Sequence, residues 1–100
     1  MKNDVKPTQI VIKKFTQDAC RPCQVLSYAL DAEQAELAEA GAVIEEIKLE
    51  EAGKEAFDQY GIMSTPTLVF ERNGMKMTEL RGMINIREVF DAVEYSKTAR

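Results

Sequence analysis

Apolar and polar positions along this chain repeat with a period of about two in some stretches and about 3.6 in others, and the switches between them mark its elements. Ile10-Val11-Ile12-Lys13-Lys14-Phe15 is dense in β-branched and aromatic residues and reads as a strand, buried over its first half. The polar loop Thr16-Gln17-Asp18-Ala19 ends it. From Cys23 to about Ala40, Leu26, Leu30 and Leu37 recur at helical spacing among polar residues and alanines, which predicts one helix stopped by Gly41. Val43 to Leu49 reads as a second strand, and a short helix follows from about Glu51 to Tyr60, ended by Gly61. Strand, helix, strand in that order implies a parallel pair joined by a right-handed crossover.

Asn73-Gly74 separates two strand-like runs, Thr67–Arg72 and Met75–Arg81. Both positions of a two-residue hairpin turn need positive φ, so this dipeptide predicts an antiparallel hairpin. Gly82 breaks the second run. Asn85 can cap a last helix, with Glu88 three residues on completing a capping box and Ile86, Val89, Phe90 and Val93 as the apolar stripe. The tail Ser96–Arg100 is expected to fray. The order β-α-β-α-β-β-α predicts an α/β fold, a four-stranded mixed sheet with helices on both faces.

A chain of 100 residues, 45% of them apolar, supports one domain over residues 1–100 with one modest core over about 9–95. A formal charge of −4, from 13 basic and 17 acidic residues, supplies no cationic stripe for a phosphate backbone, so no nucleic-acid partner is expected. The first nine residues are polar, and no apolar run approaches the roughly 20 residues of a membrane span or the shorter core of a signal peptide. The chain reads as a soluble cytoplasmic protein with no membrane partner.

The candidate chemistry is concentrated in Cys20-Arg21-Pro22-Cys23, which contains both of the chain's 2 cysteines. A Cys-x-x-Cys pair opening a helix puts the first sulfur near unpaired N–H groups and the positive end of the helix dipole, which favours thiolate. The second sulfur is within reach of the first, so the pair can attack a disulfide and then release itself by closing its own ring. So small a ring constrains little of an unfolded chain and argues against a secreted disulfide framework. Zinc needs four ligands, and the chain has no histidine and no third cysteine; only a metal shared between subunits stays open. No metal site and no cofactor beyond the Cys20–Cys23 disulfide is expected. Arg21 is either a solvated charge or a cation favouring the Cys20 thiolate. Pro22 suits a first helical turn and stiffens the segment.

Phe15, Cys20-Arg21-Pro22-Cys23, Tyr60-Gly-Ile-Met-Ser-Thr-Pro-Thr67, Phe70-Glu-Arg-Asn-Gly74 and Gly82 together resemble the thioredoxin superfamily over about residues 9–95. The resemblance implies a thioredoxin-like fold, with Cys20 as the exposed attacking thiol and Cys23 as the buried resolving thiol. It implies that Pro66 follows a cis peptide bond and lies against the cysteines, and that the backbone of Thr65 pairs with an extended substrate. Met63 and Met83 are then either core gap-fillers or an adaptable apolar rim around the thiol. The implied activity is that of a monomeric dithiol–disulfide oxidoreductase reducing protein disulfides, recharged by a flavoprotein disulfide reductase.

The chain departs from the thioredoxin pattern in three ways. Ala19 stands where thioredoxins carry tryptophan. Lys14 takes the place of a buried acid behind the resolving cysteine, and Glu46 falls near the place of that acid's partner lysine. Either the pair has exchanged signs, or both side chains reach solvent. The short segment before the first strand also leaves out a strand and helix, which is closer to glutaredoxin; yet Arg81-Gly-Met-Ile-Asn85 lacks the second glycine and acid with which glutaredoxins commonly hold glutathione. Two alternatives stand beside the main reading: a glutathione-recharged enzyme, and a non-enzymatic module that docks a partner at Pro66 or shares an iron–sulfur or zinc centre.

Overall fold

A computed structural model of the protein describes residues 9–99. Residues 1–8, part of the polar start noted above, and Arg100 lie outside them. The elements are β1 (Ile10–Thr16), α1 (Arg21–Ala32), α2 (Gln34–Glu39), β2 (Ala42–Lys48), α3 (Leu49–Ala52), α4 (Lys54–Tyr60), β3 (Thr67–Arg72), β4 (Met75–Arg81) and α5 (Ile86–Thr98). The four strands form one sheet in the order β2-β1-β3-β4. β1 pairs parallel with β2 and antiparallel with β3, and β3 pairs antiparallel with β4. This is the mixed sheet the sequence predicts.

Alternation along the strands sends neighbouring residues to opposite layers. Ile10, Ile12, Leu68 and Phe70 pack on one face against Leu26 and Leu30 of α1 and Val89 and Val93 of α5. On the other face Phe15 and Val69 meet Phe57 of α4, with Ile62 beside them. Phe15 stands edge-on to Phe57 at 5.2 Å between centroids and tilted against Tyr60 at 5.0 Å. Among the described residues no helix is long and apolar enough to cross a membrane.

Where chemistry is local, elements fall where the sequence puts them. Asn73 and Gly74 have φ of 53° and 80°, the left-handed pair the hairpin turn requires. Asn85 Oδ1 accepts from the Glu88 N–H at 2.9 Å, and Glu88 Oε1 accepts from the Asn85 N–H at 3.1 Å, closing the capping box. Removing that cap with Asn85→Ala should cost about 1 kcal/mol, read as a lower denaturant midpoint at unchanged slope, while Asn85→Asp should cost far less.

Three expectations need correction. The helix predicted from Cys23 to Ala40 starts at Arg21 and is two helices, broken at Glu33, because no residue from Asp31 to Glu36 is buried and nothing holds that turn against the sheet. The helix predicted from Glu51 to Tyr60 begins at Leu49, so that β2 runs one residue earlier than predicted, and it is interrupted at Gly53, whose φ of 89° no helix contains. The tail does not fray at Ser96: α5 continues to Thr98. The Arg72 guanidinium, at the end of β3, donates to the carbonyls of Ser96 and Lys97, each at 2.7 Å, and to that of Ala99. It satisfies acceptors that a helix end leaves unpaired and places a cation at the negative end of the dipole.

Candidate active site

The chain leaves β1 through Gln17-Asp18-Ala19, and Ala19 takes φ of 55°, a left-handed conformation uncommon for a residue with a Cβ. This turn delivers Cys20 to the N-cap of α1 in extended backbone, with Pro22 in the first helical turn. Cys20 and Cys23 are joined as a disulfide, their Cα atoms 5.2 Å apart. The Cys23 N–H donates to Cys20 Sγ at 3.2 Å, and the Gln24 N–H to the Cys20 carbonyl at 3.1 Å. The first-turn donors therefore converge on Cys20.

Both cysteines are covered in this oxidised form, at 7% exposure for Cys20 and 4% for Cys23, which corrects the expected contrast between an exposed and a buried sulfur. The bond folds Cys20 Sγ back over the first turn, where the Cys23 N–H meets it. What distinguishes the two is their surroundings. The Thr65 hydroxyl donates to Cys20 Sγ at 3.6 Å, and the Thr65–Pro66 peptide is cis. The Gly82 N–H donates to the carbonyl of buried Pro66 at 3.2 Å, so the segment after β4 is tied to the same place. Three chain segments thus meet around Cys20.

Two open grooves flank this meeting point. One, of about 510 Å³, is lined by Arg21, Pro22, Val25, Met83 and Ile84. The other, of about 570 Å³, is lined by Leu49, Phe57, Ile62, Met63 and Thr65. Met63 and Met83 are 88% and 90% exposed, so neither fills the core. Val25 and Ile84 join the apolar lining without any signal in the sequence that separates them from ordinary core positions.

Cys23 looks elsewhere, onto a polar cleft of about 420 Å³ that it shares with Thr16, Asp18, Ser27, Glu46 and Lys48. Lys14 points to the same region from the sheet and is only 6% exposed. Its Nζ donates to Ser27 Oγ at 2.9 Å and lies 3.9 Å from Glu46 Oε1, while Glu46 Oε2 accepts from the Thr16 hydroxyl at 2.7 Å. Lys14 and Glu46 are direct partners in the β1–β2 register, and Glu46 is half-exposed. The two readings of this pair thus divide: Lys14 stays inside and meets its acid, and only Glu46 touches solvent. Ser27, the residue that anchors Lys14, was not singled out by sequence; its position four residues after Cys23, on the same helix face, is the signal that marks it.

Neighbouring charges are largely paired. Lys48 lies 3.0 Å from Asp18, whose hydrogen bond and charge raise the lysine above its ordinary value. The Asp18 N–H donates to both carboxylate oxygens of Glu50 at 3.1 Å. Lys13 projects to the opposite face, 3.8 Å from Glu71 and 3.6 Å from Glu45, with Nζ 5.4 Å from the Tyr60 ring centre. Its ammonium is held above the usual value first by hydrogen bonding to Tyr60, then by the two carboxylates, against the opposing effect of burial. Among the described residues no three His, Cys, Asp or Glu side chains are grouped to hold a metal ion.

A disulfide at the N-cap of a helix, facing a cis-proline turn on a β2-β1-β3-β4 sheet, defines a thioredoxin-fold protein with a dithiol site. The family model described as Thioredoxin matches residues 2–95. The chain is 31% identical over 84 residues to the probable thioredoxin-2 of Caenorhabditis elegans, covering 84% of this chain and 57% of that protein. It is 27% identical over 81 residues to the thioredoxin of Chlamydia caviae, covering 81% of this chain and 76% of the other. The chain therefore spans little more than half the length of the nematode relative. Among solved structures, Fasciola hepatica thioredoxin superposes with a TM-score of 0.76 at 19% identity, over 89% of this chain and 82% of that one. A mutant thioredoxin from Halobacterium salinarum gives 0.74 at 22% identity, over 98% and 99%. The chain belongs to the thioredoxin family.

Proposed function

We propose that the protein is a thiol–disulfide oxidoreductase that reduces protein disulfides through a reversible Cys20–Cys23 disulfide. The observation that carries this reading is the Cys20 sulfur at the cap of α1, taking the Cys23 N–H at 3.2 Å. In the reduced protein the same donor faces a thiolate, as a stronger charge-assisted bond. Cys20 attacks the partner's disulfide, forming a Cys20–partner bond while the partner's other sulfur leaves and takes a proton. Cys23 then attacks Cys20 Sγ, closing the ring and freeing the second partner thiol. Two electrons have passed from the dithiol to the partner.

In this reading Arg21 is the exposed cation beside the attacking thiolate, and Pro22 fixes the first turn. The backbone of Thr65, before Pro66, lies where an extended segment can pair with it, and Met63 and Met83 provide a pliable apolar rim on either side. The electrons come from a flavoprotein disulfide reductase, and the protein works as a monomer in the reducing cytoplasm.

Turnover with insulin as the disulfide substrate tests this, each reductant supplied in turn. Reduction is expected with NADPH and a flavoprotein thioredoxin reductase, and only background with glutathione, NADPH and glutathione reductase. Turnover with glutathione alone would make the protein glutaredoxin-like. Failure with both would leave a docking module.

A further inference from the structure

We propose that Lys14 is a positioning residue for the resolving step, a buried cation that stabilises the Cys23 thiolate. The inference deepens the oxidoreductase reading and rests on it. Cys23 has a problem that Cys20 lacks. Burial alone disfavours a thiolate, and two N–H donors at the start of α1 are committed elsewhere, that of Cys23 to Cys20 Sγ and that of Gln24 to the Cys20 carbonyl, while Pro22 has none. Arg21 lines the groove beside Met83 and not the cleft beside Cys23. Charge stabilisation for the second sulfur has to come from another element.

Lys14 supplies it from β1. Ser27, which holds the ammonium at 2.9 Å, lies one helical turn beyond Cys23, and both line the same cleft. An ammonium buried in a sheet is costly where a methionine would pack, so its presence asks for a reason. Its own counter-ion is weak: Glu46 is 3.9 Å away, half-exposed, and already accepts the Thr16 hydroxyl. The other titratable groups around the cleft are Asp18 from the loop, Tyr28 and Asp31 from α1, and Lys48 from β2. Asp18 and Lys48 pair with each other at 3.0 Å, and Tyr28 and Asp31 are exposed to solvent, which screens them. Lys14 is the charge that solvent screens least, and a new anion at Cys23 completes its pairing. In the step itself the Cys23 proton leaves into the solvent-open cleft, the thiolate bonds to Cys20 Sγ, and the Cys20–partner bond breaks with the electron pair going to the partner's sulfur.

The test uses the full chain. In a Cys20→Ser background Cys23 is the one thiol left, and its thiolate is followed by ultraviolet absorbance against pH after subtracting the tyrosine signal of the Cys20→Ser, Cys23→Ser double variant. Lys14→Met should raise the midpoint by about one pH unit, Lys14→Arg should keep it near the parent, and Glu46→Gln should lower it. Damage to packing would not move two variants in opposite directions. In the two-cysteine protein, release of a thiol from a preformed mixed disulfide at Cys20 should slow about threefold in Lys14→Met, because the tenfold loss of thiolate is partly offset by the greater nucleophilicity of a more basic sulfur. An unmoved midpoint in Lys14→Met, or a shift of the same sign in Glu46→Gln, overturns the role of Lys14 even where the parent exchanges normally. A parent that exchanges with no disulfide overturns the oxidoreductase reading instead, and the titration still decides whether Lys14 acts on Cys23.

Discussion

Cys23→Ser should hold a substrate protein on Cys20 as a stable mixed disulfide, whereas Cys20→Ser should hold none. Turnover falls to background in both variants, so activity alone does not separate them; the trapped species does. The asymmetry follows from surroundings and not from exposure, since both cysteines are covered in the oxidised form. Cys20 sits among the Cys23 N–H, the Thr65 hydroxyl and the two apolar grooves, where an incoming disulfide can be approached by backbone and side chain together. Cys23 opens only onto the polar cleft behind. A Cys23 thiolate meeting a partner there finds neither Met63 nor Met83 and no cis-proline turn to pair with. Non-reducing gel electrophoresis followed by mass spectrometry of the cross-linked species reads the result, and equal trapping by both variants would overturn the assignment.

Phe15→Ala should be the most damaging single truncation, lowering unfolding free energy by about 3–5 kcal/mol. Phe15 is fully buried and its ring meets Phe57 edge-on and Tyr60 at a tilt, so the change opens a cavity and also removes aromatic contacts worth about 0.5–1.5 kcal/mol each. A domain has about 5–15 kcal/mol in all, so a loss of this size brings the protein near its threshold. Phe15→Leu should cost much less by keeping most of the volume, and Phe90→Ala, at a partly exposed site, should fall between. Denaturant midpoints on the oxidised protein give the ranking. A Phe15→Ala loss below that of Phe90→Ala would mean that this face of the sheet collapses around the gap.

What the sequence makes legible is what a few adjacent residues decide among themselves. Asn73-Gly74 dictates its turn because the φ values come from the dipeptide, and Asn85 with Glu88 closes a box three residues long. Cys20-Arg21-Pro22-Cys23 carries its own chemistry for the same reason. The misses lie where distant segments decide. Nothing near Ser96 announces Arg72, which is 24 residues away in sequence and reaches it only because β3 ends beside α5. The break at Glu33 reflects missing contacts with the sheet, and an amphipathic pattern counts the leucines on either side without registering the gap. Lys14 is the sharpest case. The sequence leaves open whether Lys14 and Glu46 pair or both reach solvent; pleating turns Lys13 toward Tyr60 and Lys14 toward Ser27, and the β1–β2 register that sets Glu46 opposite Lys14 decides it.

The ring closed by Cys20 and Cys23 spans a sequence separation of only 3. Cross-linking residues so close in sequence removes less freedom from the unfolded chain than a long loop does, about 2 kcal/mol against roughly 3 kcal/mol for a 15-residue ring. Beyond that contribution, any gap in unfolding free energy between the oxidised and reduced protein comes from how the native fold treats two thiols compared with one disulfide. Those four states form a closed thermodynamic cycle. The gap equals the difference in reduction free energy between the folded pair and the same pair in the unfolded chain, at about 1.4 kcal/mol for each 30 mV. A fold more stable when reduced is, by that identity, a stronger oxidant than its own unfolded chain, and two denaturation curves serve as an electrode.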